Sequence, residues 1–296
     1  MLGRWTFDPL QLAMIGVLGI AYARRAATLH ARGQPVPRLR IALFGSGLAV
    51  LLVAVASPVH ELGEEYLAFH MLQHVLLGDL APLLVLCGLT GPLLRPLLAL
   101  GPVGRVRALA NPVVAFGVWA TILLSWHLPL LYDAAVRHES VHALEHVSFF
   151  AAGIAVWLPI VETLPAPEWF GTGAKLVYVV GVRSVESLLG NVLLWVAGAP
   201  LYGVYVRPHD LIGVSPSTDQ SLAGAVMLVE GMLVTLPLLA VLFLRLQAES
   251  EARQTLVERG VDPRRARRAV RYRRADALTG AVYSGSAASP GSRTGV

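Results

Sequence analysis

Seven stretches of this chain are too long and too apolar to be loops of a water-soluble protein, and that pattern limits every fold open to it. They run over approximately 8–23, 41–59, 67–90, 112–131, 142–164, 175–199 and 220–246. A helix needs about 20 mainly apolar residues to cross the hydrocarbon of a bilayer, where every backbone amide must be satisfied within the segment itself. The breaks between the runs hold charges, or the Pro and Gly residues of loops. Composition agrees, since 15% of the residues are charged against about 25% in an ordinary soluble domain. The expected fold class is an all-α integral membrane protein, a bundle of about seven transmembrane helices occupying 1–246. After Leu246 the chain becomes polar and Arg-rich (RRARRAVRYRR) and then rich in Ser, Gly and Ala. Residues 247–296 are therefore expected to form a basic tail, largely disordered because it has little apolar surface to bury.

Lys and Arg residues give the expected orientation. The loops after helices 1, 3 and 5 and the C-terminal tail, all on one side, hold twenty of them, and the opposite side holds Arg4, Arg137 and Arg207. Such an excess marks the cytoplasmic face, which puts the N-terminus outside and the tail in the cytoplasm. The apolar stretch 10–23 ends in Ala-Tyr-Ala, resembling a signal-peptidase site. Cleavage there would invert every later helix against the remaining charges, so the stretch is read as helix 1. The pI near 9.7 therefore reports membrane topology and does not point to nucleic acid. Cys87 is the single cysteine, which excludes an intrachain disulfide and a Cys-x-x-Cys metal site.

With that orientation each histidine gains a depth. His70 and His74 lie on helix 3, roughly 5 and 10 Å below its outer end. His127 lies near the outer end of helix 4, His142 and His146 open helix 5, and His138 stands just before it. His60 and His209 fall in outer loops, and only His30 is cytoplasmic. The pairs in HMLQH and HALEH are four residues apart, so each pair shares one helix face. Two imidazoles so placed can bind one metal ion, and imidazole suits copper, zinc, iron or nickel. A single intramembrane histidine more often ties helices together by hydrogen bonding; two such pairs plus His127 at one depth point to metal. Met71 points about 100° away from His70 and is a weaker ligand candidate, as are His60 and His138. Asp133 and Glu145 are candidates to orient imidazoles as hydrogen-bond acceptors.

A second polar group is expected near the middle of the membrane: Asp79, Arg183, Glu186, Asn191 and Glu230. Arg183 could pair with Glu186 or Glu230, which would offset the cost of burying each charge. Such a group serves either as glue between helices or as part of an ion path. Trp5, Trp126, Tyr132, Tyr202 and Tyr205 are expected as interfacial anchors.

The strings SPVHELGEEYLAFHMLQHVLL, WHLPLLYDAAVRHESVHALEHVSFF, LYGVY and DQSLAGAVM resemble the CtaG-type cytochrome c oxidase assembly factors of bacteria, from about Trp5 to Leu246. The motif residues carried over are His70, Met71, His74, Trp126, His127, Pro129, Tyr132, Asp133, His142, Glu145, His146, Asp219 and Gln220. Leu228 departs from the pattern, which expects Trp there. The resemblance implies a multi-pass protein of the bacterial plasma membrane, required for a haem-copper oxidase, whose subunits would be its partners along with membrane lipid. It further implies a role in delivering or inserting copper. The expected ligands are His70, His74, His127, His142 and His146, with no catalytic turnover. Two other readings stay open. One is a membrane-embedded zinc hydrolase with three His ligands, with Asp133, Glu145 or Asp79 as base and a lipid-like substrate. The other is a bis-His haem protein.

Overall fold

The computed structural model describes residues 5, 9–98, 110–164, 166–196, 200–206 and 213–271. Among them every regular element is helical. They are α1 (Pro9–Ala31), α2 (Arg38–Ala56), α3 (Pro58–Glu65), α4 (Leu67–Gly88), α5 (Gly91–Leu98), α6 (Pro112–Trp126), α7 (Pro129–Arg137), α8 (Glu139–Val161) and α9 (Thr172–Trp195). A single 3-10 turn (Gly203–Tyr205) precedes α10 (Pro216–Glu258) and α11 (Pro263–Arg271). Six of these, α1, α2, α4, α8, α9 and α10, are each long and apolar enough to cross a membrane. Large apolar side chains such as Val17, Leu188, Leu233 and Leu244 stand exposed along them, as lipid-facing surfaces require.

The expected fourth span is the one that differs most. It is not continuous over 112–131, because α6 and α7 meet at a bend of 72°. Pro129 explains the break. It has no N–H to continue the helix, and its ring pushes Leu128 out of the helical region, to ψ 129. The expected boundaries shift elsewhere too. α1 continues to Ala31, so Arg24 and Arg25 lie on a helix, and Arg25 donates to the Pro92 carbonyl at 2.8 Å. α2 stops at Ala56, because Ser57 caps a separate helix by accepting from Val59 N at 3.2 Å, with Pro58 in its first turn. His60 thus sits on α3 and not in a loop.

The chain forms two compact units, one of Met1–Glu168 with Tyr178–Thr235 and one of Trp169–Val177 with Leu236–Val296. In the smaller unit, helix continues well past Leu246 to Glu258, where the sequence led us to expect disorder. Arg245 and Glu249 pair one turn apart (2.9 Å), and neither Gly nor Pro interrupts the run. Gly260, at φ +81, turns the chain into α11, whose Ala266 and Ala269 bury Leu256. Residues 272–296 lie outside the described residues.

In the larger unit α2 lies along the second half of α4, and α8 packs against both α4 and α6. The crossing of α4 and α8 is very close, since a Cβ on Gly153 would fall 2.1 Å from the Gly78 carbonyl oxygen and 2.6 Å from Pro82 Cγ. α4 is not uniform at this point. Leu76–Leu80 widen into one π turn, closed by Ala81 N donating to Leu76 O. Pro82 supplies the reason, because a proline cannot donate to the carbonyl four residues back, here Gly78, and its ring crowds that carbonyl. The start of α4 is held from α10: Asp219 accepts from Leu67 N (2.7 Å) and Ala68 N (3.0 Å), satisfying donors that a helix N-terminus leaves unpaired.

Candidate metal centre

Four helix ends meet at one end of the larger unit: the starts of α4, α8 and α10 and the end of α6. The histidines collect there. Ring centroids stand 4.2 Å apart for His70 and His74, 4.1 Å for His142 and His146, and 5.4 Å for His70 and His142. His74 lies 6.1 Å from His146 and 6.5 Å from His127. All five expected ligands therefore fall into one connected cluster.

Glu145 lies within the cluster. Fully buried, it places its carboxylate 3.5 Å from His74 Nε2 and 3.7 Å from His70 Nε2. His70, His142 and Glu145 bring one ligand atom each to within 4.8 Å of one another. Glu145 was expected behind the imidazoles as an orienting acceptor; its position gives it the geometry of a ligand as well.

The hydrogen-bond accounting of this cluster is unusual. Both ring nitrogens of His70, His74 and His146, Nε2 of His127 and His142, and both Glu145 oxygens are buried without a hydrogen-bond partner among the described residues. Buried polar atoms are nearly always paired, and an unpaired one costs about 1–3 kcal/mol. So many orphaned acceptors and donors facing one another are what a metal ion would satisfy. His127 is already oriented for such a role, because its Nδ1 donates to the Leu123 carbonyl at 2.8 Å and leaves Nε2 directed elsewhere. A backbone carbonyl on one imidazole nitrogen is the usual partner of a metal-binding histidine.

The weaker candidates separate. His60 joins the cluster, 5.6 Å from His142 and 6.2 Å from His146, and is steadied by Gln73 Nε2 at 2.9 Å from its Nδ1. Gln73 is fully buried and also donates to the Ala54 carbonyl. His138 stands exposed at the N-cap of α8 and takes no part in these ring contacts. Asp133 meets Arg137 at 3.5 Å and no imidazole among the described residues. His209 lies outside the described residues.

Three tyrosines expected as interfacial anchors are instead buried over the cluster. Tyr132 is fully buried, stacks on Tyr202 at 3.9 Å and lies 5.0 Å from His70. Tyr205 donates to the Gly63 carbonyl at 2.9 Å, and Tyr202 donates to the His127 carbonyl at 3.1 Å. Burial, with Glu145 and Asp133 nearby, pushes the Tyr202 phenol above its ordinary range, so it remains a donor. Gln220 secures this segment by accepting from Leu201 N at 2.7 Å. Trp126 donates to Ser148 Oγ at 2.7 Å, tying the end of α6 to α8.

One to two turns further along the helices lies the second polar group. Arg183 pairs with Asp79 and with Glu186, and stands 3.7 Å from Glu230. It thus meets both expected partners, plus Asp79, whose other oxygen accepts from Trp157 Nε1 at 2.6 Å. Asn191 stays apart, bonded along its own helix to Ser187 and Trp195. A cavity of about 40 Å³ connects the two groups; it is lined by His74 and His127 at one end and by Asp79, Glu186 and Glu230 at the other. Met71 and Met227 also line it. Sequence reading passed over Met227, although its place seven residues after Gln220 puts both on one helix face.

Comparison with known proteins supplies the family. Residues 20–249 match the family of cytochrome c oxidase caa3 assembly factors, Caa3_CtaG. Three uncharacterized mycobacterial proteins, Mb0105 of Mycobacterium bovis, MT0111 of Mycobacterium tuberculosis and ML1998 of Mycobacterium leprae, are each 24% identical over 241 residues. The match takes in 75% of this chain but 36% of each relative, so the chain spans about a third of their length. No solved structure gives a significant match. With its multi-pass helical fold and the motif histidines gathered at one end, the chain belongs to the cytochrome c oxidase caa3 assembly factor family.

Proposed function

We propose that this protein binds copper in the histidine centre, at the extracytoplasmic end of its bundle in the bacterial plasma membrane, and passes it to a haem-copper oxidase during assembly. Copper is here the cargo and not a resident cofactor. The observation that carries the reading is the set of buried, unpartnered imidazole nitrogens surrounding the Glu145 carboxylate. Imidazole and carboxylate together suit a first-row transition ion, and copper sits at the top of their affinity order. The cluster spans α3, α4, α6 and α8, so releasing the ion needs only small relative movements of helix ends. The loop-charge asymmetry supports an external position for that end.

His70, His142 and Glu145 also provide the two-histidine, one-glutamate donor set of hydrolytic zinc sites. A hydrolase needs in addition a free base beside the ion. Asp133 reaches no imidazole of the cluster, Asp79 is held by Arg183 and Trp157, and Glu145 belongs to the donor set itself. The arrangement favours holding and handing over an ion above turning over a substrate.

The test is metal analysis of the purified protein alongside His74→Ala, His146→Ala and His30→Ala. Copper should be retained by the wild type and His30→Ala, and should fall in the other two while they remain in the membrane. Full copper and full oxidase assembly in His74→Ala and His146→Ala would overturn the reading.

A further inference from the structure

We infer that the chain holds a second copper subsite, selective for the monovalent ion and formed in the cavity by Met71 and Met227 with His74 and His127. This rests on the copper reading above and divides the centre into two sites of different charge.

The four side chains come from three elements, Met71 and His74 from α4, His127 from the end of α6, and Met227 from α10, and all line the same cavity. Met71 and Met227 are 1% and 6% exposed, and His74 and His127 are 5% and 8% exposed. Both His74 nitrogens and His127 Nε2 lack hydrogen-bond partners among the described residues, so residues with unpaired imidazole nitrogens line the cavity together with the two methionines. On α4, Met71 and His74 are three residues apart and so share a face, although Met71 points away from His70.

The ligand charges decide the ion. Thioether and imidazole are both neutral, and thioether sulfur is a soft donor that selects Cu(I) over divalent ions. A monovalent ion also loses less on leaving water for a site without a compensating carboxylate. The three carboxylates lining the cavity all face Arg183: Asp79 and Glu186 pair with it, and Glu230 stands 3.7 Å away. The other site is different: His70, His142 and Glu145 include a buried carboxylate, which suits a divalent ion. His74 stands between the two. Its Nε2 is 3.5 Å from Glu145, its ring is 4.2 Å from His70, and it lines the cavity. Met71 and Met227 also belong to an apolar cluster with Tyr132, Tyr202 and Leu193. Packing alone explains their burial, but not why they share a cavity with unpaired imidazoles.

X-ray absorption at the copper edge tests this on the full-length protein, purified in detergent and loaded with Cu(I) under anaerobic reducing conditions. The variants are Met71→Leu, Met227→Leu and the double substitution, which conserve volume while removing sulfur. The wild type should show a sulfur shell beside nitrogen, weakened in each single variant and lost in the double one. Zn(II) binding, read on the same preparations, should be unchanged by the substitutions. A wild-type Cu(I) spectrum with nitrogen and oxygen neighbours alone overturns the subsite and leaves the proposed function standing. Absence of bound copper in either oxidation state overturns both. Because the wild-type spectrum alone decides the sulfur shell, failure of the double variant to fold does not remove the test.

Discussion

Adding one methyl group at Gly153 should open the histidine cluster without touching it. In Gly153→Ala the new Cβ would lie 2.1 Å from the Gly78 carbonyl oxygen and 2.6 Å from Pro82 Cγ. Neither neighbour is the end of a flexible side chain. Restoring ordinary contact needs α4 and α8 to part by about 1 Å. Overpacking of this kind costs about 2–3 kcal/mol, offset by about 1 kcal/mol from replacing a helical glycine with alanine. The net is a destabilisation of about 1–2 kcal/mol, or a fall in Tm of roughly 2–8 °C. The functional effect should be larger than the effect on stability. His70 lies on α4, whereas His142 and Glu145 lie on α8, and the 1 Å separation is several times the tolerance of about 0.2 Å in a metal–ligand distance. Gly78→Ala, on the facing surface of the same crossing, is the control. Its Cβ would meet Phe149 Cδ1 at 3.5 Å, an ordinary contact, so stability and metal content should stay near wild type. The assay is thermal denaturation in detergent followed by size-exclusion chromatography, with metal content measured on the same samples. If Gly153→Ala matches Gly78→Ala in both Tm and metal content, the helix crossing does not set the spacing of the centre.

Arg183→Ala should strand three carboxyl groups in the membrane and cost about 3–5 kcal/mol, seen as loss of folded protein; Arg183→Ala combined with Asp79→Asn and Glu186→Gln should recover part of it, and equal loss in both would argue against the ion-pair network. Asp219→Ala removes the acceptor for Leu67 N and Ala68 N and should cost about 1–2 kcal/mol, measured as a lower Tm, whereas Asp219→Asn should lose less. A reporter fused after Leu246 should be active only as a cytoplasmic marker and one at Glu64 only as an external marker, and the reverse pattern would invert the orientation.

Hydrophobic run length was enough to locate the spans, because lipid imposes a single length requirement on every crossing. The i,i+4 spacing of His70 with His74 and of His142 with His146 likewise sufficed to group the site, since helix geometry fixes which residues share a face. What the sequence did not disclose depends on contacts between helices. Glu145 reads as an imidazole-orienting residue until α4 is placed against α8. Tyr132, Tyr202 and Tyr205 read as interfacial anchors, because composition cannot say that Gln220 folds the segment holding Tyr202 back over the histidines. The bend at Leu128 was legible in principle from Pro129 alone, as the residue before a proline avoids the helical region. A seven-span expectation smoothed it into a continuous helix. The helix beyond Leu246 is hidden for the opposite reason, since its polar composition suggests a tail although neither Gly nor Pro stands between Leu246 and Gly260.

The π turn at Leu76–Leu80 has a consequence for how this chain can change. A π turn holds one residue more than the α-helix around it, so it behaves as a single-residue insertion absorbed within a helix. Removing one residue from it would return α4 to regular winding with its two halves facing as they do now, whereas removing one residue from the regular helix after it would rotate everything beyond by about 100° relative to the histidines. In the second case His70 and His74 would keep their faces, held by Asp219 at the start of the helix, while Val85 and Gly88 would swing off the surface of α2 that they now meet. The two halves of α4 are thus separately indexed, the first to the histidine centre and the second to the helices that frame it. A length change of one residue is tolerated at the helix ends and at the turn itself, but not in the regular winding that follows it.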